Sequence, residues 1–125
     1  MGGKRNRSVG HKLERDIAKI LREEVGYKDV VTCRSESRSR DNEKIDLINK
    51  NEAVVGRLPY NIQCKSSVKL IKYPLVLSEL PKLKGITNLI IHQQTEKKGT
   101  IFKTKDKFAI LYLDDFVEIM KKLKQ

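Results

Sequence analysis

Residues 60–65, Tyr-Asn-Ile-Gln-Cys-Lys, constrain the fold more than any other stretch. Tyr60, Ile62 and Cys64 alternate with Asn61, Gln63 and Lys65. A period of two belongs to a β-strand, whose successive side chains point to opposite faces. Such a strand needs a sheet with its apolar face covered. It also sets a glutamine and a lysine side by side on one face.

The segments around it supply the rest of an α/β chain. Ser8 is positioned to cap a helix running to about Val25, with Gly26 as its stop. Val9, Leu13, Ile17, Ile20 and Leu21 follow helical spacing, and Lys12, Arg15, Lys19 and Arg22 form a basic stripe on another face. Glu14 falls beside the apolar stripe, three, four and seven residues before Ile17, Ala18 and Leu21. Strands are expected over Asp29–Arg34, Lys44–Asn49, Ala53–Val55 continuing through Tyr60–Lys65, Asn88–Gln94 and Phe108–Leu113. A short helix is expected over Ser78–Lys84, with Pro81 in its first turn. The lysine-rich run Glu96–Lys107 reads as a basic loop or hairpin. A final helix, capped by Asp114 or Asp115, ends near Lys124. The order of helix, three strands, helix, two strands and helix predicts one domain over 1–125, a central mixed sheet flanked by helices. Residues 1–7 read as a flexible basic arm.

Charge narrows the partner. The chain of 125 residues has a net charge of +11, from 27 Lys and Arg against 16 Asp and Glu. That excess calls for a polyanion, nucleic acid first and an anionic membrane second. No apolar run approaches the roughly 20 residues of a spanning helix, and the start lacks the apolar core of a signal peptide. The expected setting is the cytoplasm, with no membrane partner. Cys33 and Cys64 have no CxxC spacing, so two reduced thiols are expected rather than a zinc site.

Asp46 is an acid between Ile45 and Leu47 in an apolar strand, where a carboxylate is costly unless paired or bound to metal. Taken singly, Asp46 fits a salt bridge, Glu14 an ordinary helix glutamate, and Gln63 with Lys65 an exposed strand face. Taken together they form an ordered set: a helix acid, a strand acid, and a strand with Gln63 and Lys65 on one face. If the second and third strands pair, Asp46 and Gln63 share a sheet face, and Glu14 reaches them from the covering helix. Carboxylate and carbonyl oxygens are hard ligands that suit Mg²⁺ or Mn²⁺.

The series Glu14, Asp46, Gln63-Cys64-Lys65 resembles the PD-(D/E)XK nuclease superfamily. Residues 11–22 followed by 30–39 resemble the amino-terminal half of archaeal-type Holliday junction resolvases, and the likeness covers about residues 7–67. Two positions depart from the usual pattern. Ile45 replaces a proline, and Gln63 replaces an acid, giving the Gln-x-Lys version familiar from Mrr-like restriction nucleases. The resemblance implies a restriction-endonuclease-like fold and a divalent-metal-dependent DNA endonuclease. Glu14, Asp46, the Gln63 amide oxygen and the Cys64 carbonyl would hold Mg²⁺ or Mn²⁺, and Lys65 would position the attacking water. Hydrolysis would leave a 5′-phosphate and a 3′-hydroxyl. The substrate implied is a four-way DNA junction, cut twice by a homodimer whose symmetry matches it. Arg5, Arg7, Lys12, Arg15 and Arg34 are candidate phosphate contacts, with Ser35 and Ser37 beside the metal. Two alternatives stand beside this expectation: an Mrr-like restriction or repair nuclease on other DNA structures, and a non-catalytic nucleic-acid-binding module. Four Tyr, three Phe and no Trp argue against a single-strand stacking platform.

Overall fold

The computed structural model describes residues 2–33, 40 and 42–125, with residues 2–9 described by their backbone alone. The chain opens with α1 (Gly2–Ile20), followed by a π-helical turn over Leu21–Val25. The helix therefore starts at Gly2, and Ser8 lies inside it rather than at its cap. The stop is as expected. Gly26 adopts φ 102°, and the N–H groups of Gly26 and Tyr27 both donate to Leu21 O, at 3.0 and 2.9 Å.

Two short strands follow, β1 (Val30–Thr32) and β2 (Leu47–Asn49), paired antiparallel with Val31 opposite Ile48. Ala53–Val55, expected to begin the third strand, are helical instead, in the single turn α2 (Glu52–Val55). Asn51 at φ 56° and Gly56 at φ 87° bracket that turn, and Gly56 N–H closes it on Glu52 O at 2.9 Å. Local turn geometry overrode the strand preference of two valines, whose side chains stay exposed.

β3 (Tyr60–Ser67), β4 (Thr87–Lys98) and β5 (Ile101–Ile110) form the main sheet, with β4 in the middle. β3 runs parallel to β4, and β4 and β5 form an antiparallel hairpin through Gly99 at φ 66°. The lysine-rich run is thus a hairpin rather than a loop. The helix expected over Ser78–Lys84 lies earlier, as α3 (Tyr73–Ser78). Pro74 occupies its first turn, where no backbone N–H is required. The last helix, α4 (Leu113–Lys124), begins after Tyr112, so Asp114 and Asp115 sit within its first turn rather than capping it.

The chain is α/β, but its strands divide into a mixed three-stranded sheet and a separate two-stranded ladder. The division falls at Asp46, whose N–H donates to Ile62 O at 2.8 Å while its C=O accepts from Cys33 N–H at 2.8 Å. The next β3 donor, Cys64 N–H, goes to the Asp46 carboxylate instead of a backbone carbonyl. A side chain takes the place of a ladder bond there.

Helices cover both faces of the main sheet. Leu13, Ile17 and Ala18 of α1 pack with Val30, Leu47, Leu58 and Ile62, and Cys64, Leu89 and Ile91 border this core. On the opposite face, Val76 and Leu77 of α3 pack against Ile90, with Ile110 beside them. A third cluster joins Cys33, Ile45, Ile48 and Leu80. Among the described residues no helix is long and apolar enough to cross a membrane.

Candidate active site

Two acids are buried next to β3. Glu14 is 5% exposed and Asp46 9%. Glu14 is held there by its own helix, since Leu13, Ile17 and Ala18 on either side of it are core residues. Asp46 is held by the backbone bonds on its N–H and C=O. Its Oδ2 accepts the Cys64 N–H at 2.7 Å. A charge-assisted bond in such a setting contributes about 1.5–3 kcal/mol and fixes the carboxylate against the strand. The N–H and C=O of one strand residue point to the same edge, so the Cys64 carbonyl faces the edge where Asp46 lies.

The thiol of Cys64 reports the field of both acids. Burial, and behind it the charges of Asp46 and then Glu14, push the Cys64 thiol well above its ordinary value. It stays protonated at neutral pH and is no nucleophile. Cys33 and Cys64 are both free thiols, as expected.

Gln63 and Lys65 take the other face. Alternation along β3 turns Ile62 and Cys64 toward α1 and turns Gln63 and Lys65 toward the α3 side. The structure therefore brings Glu14, Asp46 and Cys64 together. It places α1 over the face opposite Gln63 and Lys65, not over the same face, because the apolar residues that α1 needs are Ile62, Leu89 and Ile91. Gln63 is only 5% exposed, and its Oε1 is buried with no hydrogen-bond partner among the described residues. An orphaned buried acceptor costs about 1–3 kcal/mol and calls for a ligand or a function. Lys65 is half-buried and has no ion pair among the described residues.

The donor set fits a hard divalent cation. Two carboxylates, the unpaired Gln63 oxygen and the Cys64 carbonyl are all oxygen ligands. Among the described residues no three His, Cys, Asp or Glu side chains gather in a metal-binding group. Any such site here rests on two acids completed by an amide and a carbonyl oxygen.

Beyond Lys65, the row on the α3 side continues into residues whose nearness the sequence does not reveal. Parallel pairing sets His92 beside Lys65. His92 is 2% exposed, and burial lowers its pKa. Ser67 Oγ donates to Lys69 O at 2.6 Å and so accepts from His92 Nε2 at 2.9 Å. On the α1 side, Gln93 Nε2 donates to Ser66 Oγ at 3.1 Å. Only the β3–β4 register, which no local pattern encodes, brings these groups together.

The candidate phosphate contacts divide. Lys12 and Arg15 are exposed on α1 with Lys19, and Lys12 and Lys19 hold loose ion pairs with Asp16 (3.4 Å) and Glu23 (3.9 Å). Arg22, expected on the same stripe, turns inward and donates to Val30 O at 2.8 Å. Arg5 and Arg7 lie on the α1 backbone, but their side chains are outside the description, and Arg34, Ser35 and Ser37 are outside the described residues altogether. No protein-family model, curated protein or solved structure matches the chain.

Proposed function

We propose that this chain is a divalent-metal-dependent DNA endonuclease of the PD-(D/E)XK type, with a restriction-endonuclease-like fold. Its proposed substrate is the four-way junction, cut by a homodimer in the cytoplasm. The observation that carries the reading is the pair of buried acids, Glu14 and Asp46, converging on the Cys64 peptide. Burying two carboxylates so close together is unfavourable unless a cation or strong donors compensate them. The orphaned Gln63 oxygen on the same tripeptide supports the same conclusion.

Glu14, Asp46, Gln63 Oε1 and the Cys64 carbonyl would hold Mg²⁺ or Mn²⁺. When bound, such a cation supplies charge stabilisation at the phosphate and lowers the pKa of water. The chain's own residues do the rest. Lys65 offers an ammonium with no ion-pair partner among the described residues, suited to hold a water and to meet negative charge developing on the phosphate. The Asp46–Cys64 bond keeps the acid's orientation fixed. Exposed Lys12, Arg15 and Lys19, on a chain of net charge +11, favour the DNA backbone.

The test is incubation of the protein with labelled four-way junction, duplex and single strand, with Mg²⁺ or with EDTA. Symmetric nicks confined to the junction and dependent on Mg²⁺ are expected. Asp46→Asn should abolish nicking while junction binding stays within a few-fold, because affinity comes from Lys and Arg. Equal loss of binding and cutting would make Asp46 structural, and cutting of plain duplex would favour an Mrr-like enzyme.

A further inference from the structure

α4 is the least anchored element of the chain. It has 12 residues, and none of them is buried. Helices shorter than about 12–15 residues are marginal alone in water and depend on burying an apolar face. α4 has such a face. Leu113, Phe116, Met120 and Leu123 recur at steps of three, four and three, on one side of the helix. They are 72%, 45%, 44% and 79% exposed. On a neighbouring flank, Ile119 and Lys122 line a shallow cavity with Tyr60 and Thr87, where β3 and β4 begin. That flank meets the domain, and the stripe looks away from it.

The charges of α4 are graded along its length. Asp114 and Asp115 lie in the first turn, and Lys121, Lys122 and Lys124 in the last. An antiparallel second copy, centred midway between Phe116 and Met120, matches this gradient. Leu113 then faces the partner's Leu123, and Phe116 faces the partner's Met120. Asp114 comes beside the partner's Lys121. One register satisfies apolar contacts and charges together, and the two helix dipoles oppose. Self-complementarity of this kind is what a two-fold axis requires. We propose that the stripe Leu113, Phe116, Met120 and Leu123 is the surface on which a second copy of this chain docks, α4 against α4 and antiparallel.

The free edge of β5 is a poorer surface for self-association. Lys103, Lys105 and Lys107 stand along it, and charged residues on an edge strand oppose pairing with a like strand. The α4 surface goes beyond the cleavage reading and needs neither DNA nor metal.

Sedimentation equilibrium of the full chain, without DNA or metal, should show a dimer. Asp114→Lys sets lysine against the partner's Lys121, and Lys121→Asp sets aspartate against the partner's Asp114. Each alone should raise the dimer dissociation constant by about tenfold or more, through like-charge contact. Mixed in equal amounts, the two variants form a heterodimer whose cross-pairs are all complementary, so dimer should return. That recovery also shows that both variants are folded. Met120→Asp should give monomer, alone or mixed. A parent monomeric at every concentration would overturn the proposal. So would a dimer that neither charge variant weakens, and so would a monomer that uses α4 to bind anionic vesicles. Dimerisation without nicking would leave this surface standing and remove the nuclease reading. Nicking by a monomer would do the reverse.

Discussion

At the scale of single residues, Gln63 is the most informative position. Its oxygen is buried and unpartnered, so in the protein alone it is a net cost. Gln63→Leu keeps approximate volume and removes that orphan. It should therefore raise the melting temperature, by the equivalent of about 1 kcal/mol, while sharply raising the Mg²⁺ needed for cleavage. Gln63→Glu supplies an oxygen of like shape with a full charge, and cleavage should persist at lower Mg²⁺. Titrating Mg²⁺ against nicking rate for the three proteins, with thermal melts alongside, separates ligand from bystander. A leucine variant that cuts at the parent's Mg²⁺ requirement would show that Gln63 binds no metal. Stability gained where function is lost is the pattern of a binding group rather than a packing group.

Among the elements, α1 does two jobs. Its inner face supplies Leu13, Ile17 and Ala18 to the core and carries Glu14 in with them. Its outer face presents Lys12, Arg15 and Lys19. The register of both faces depends on how the helix ends. Gly26 at φ 102° closes the final turn, and a Cβ there would meet nothing within 4 Å. The cost of a side chain is therefore conformational and not steric crowding by neighbours. Gly26→Ala should destabilise the fold by about 1–2 kcal/mol, the penalty for a left-handed non-glycine residue. Urea denaturation should show a lower midpoint with an unchanged slope. A cost near zero would mean that the chain leaves α1 by another route.

For the whole molecule, the governing quantity is a net charge of +11 on 125 residues. Binding to a polyanion releases counterions, so affinity should fall steeply with salt. Arg15→Ala together with Lys19→Ala removes two exposed cations and should flatten the log–log salt slope by about 1.8. Fluorescence anisotropy with a labelled four-way junction at several salt concentrations measures it. An unchanged slope would place the DNA on another surface, and a salt-insensitive affinity would rule out the phosphate backbone as the main contact.

What the sequence settled by itself is local. The period of two in Tyr60–Lys65, the helical spacing of Leu13, Ile17 and Ala18, and the stop at Gly26 are patterns along neighbouring residues, and each appears in the structure. Local signals also misled where two of them competed. Val54 and Val55 favour strands, yet Asn51 and Gly56 closed a helical turn around them. Pro81 pointed to a helix start, but Pro74 took that role. The burial of Glu14 at the edge of an apolar stripe was legible, and so was the acid Asp46 in its apolar strand. The tertiary structure alone decided how these meet. It put α1 over Ile62 and Cys64, leaving Gln63 and Lys65 on the far face, because a helix settles on whichever sheet face offers more apolar area. It let the Asp46 carboxylate take the Cys64 N–H, which split the strands into two sheets. It set His92 beside Lys65 through a parallel pairing whose partners lie 27 positions apart in sequence, as at Tyr60 and Thr87. Such contacts form between segments distant along the chain, so no spacing in the sequence encodes them.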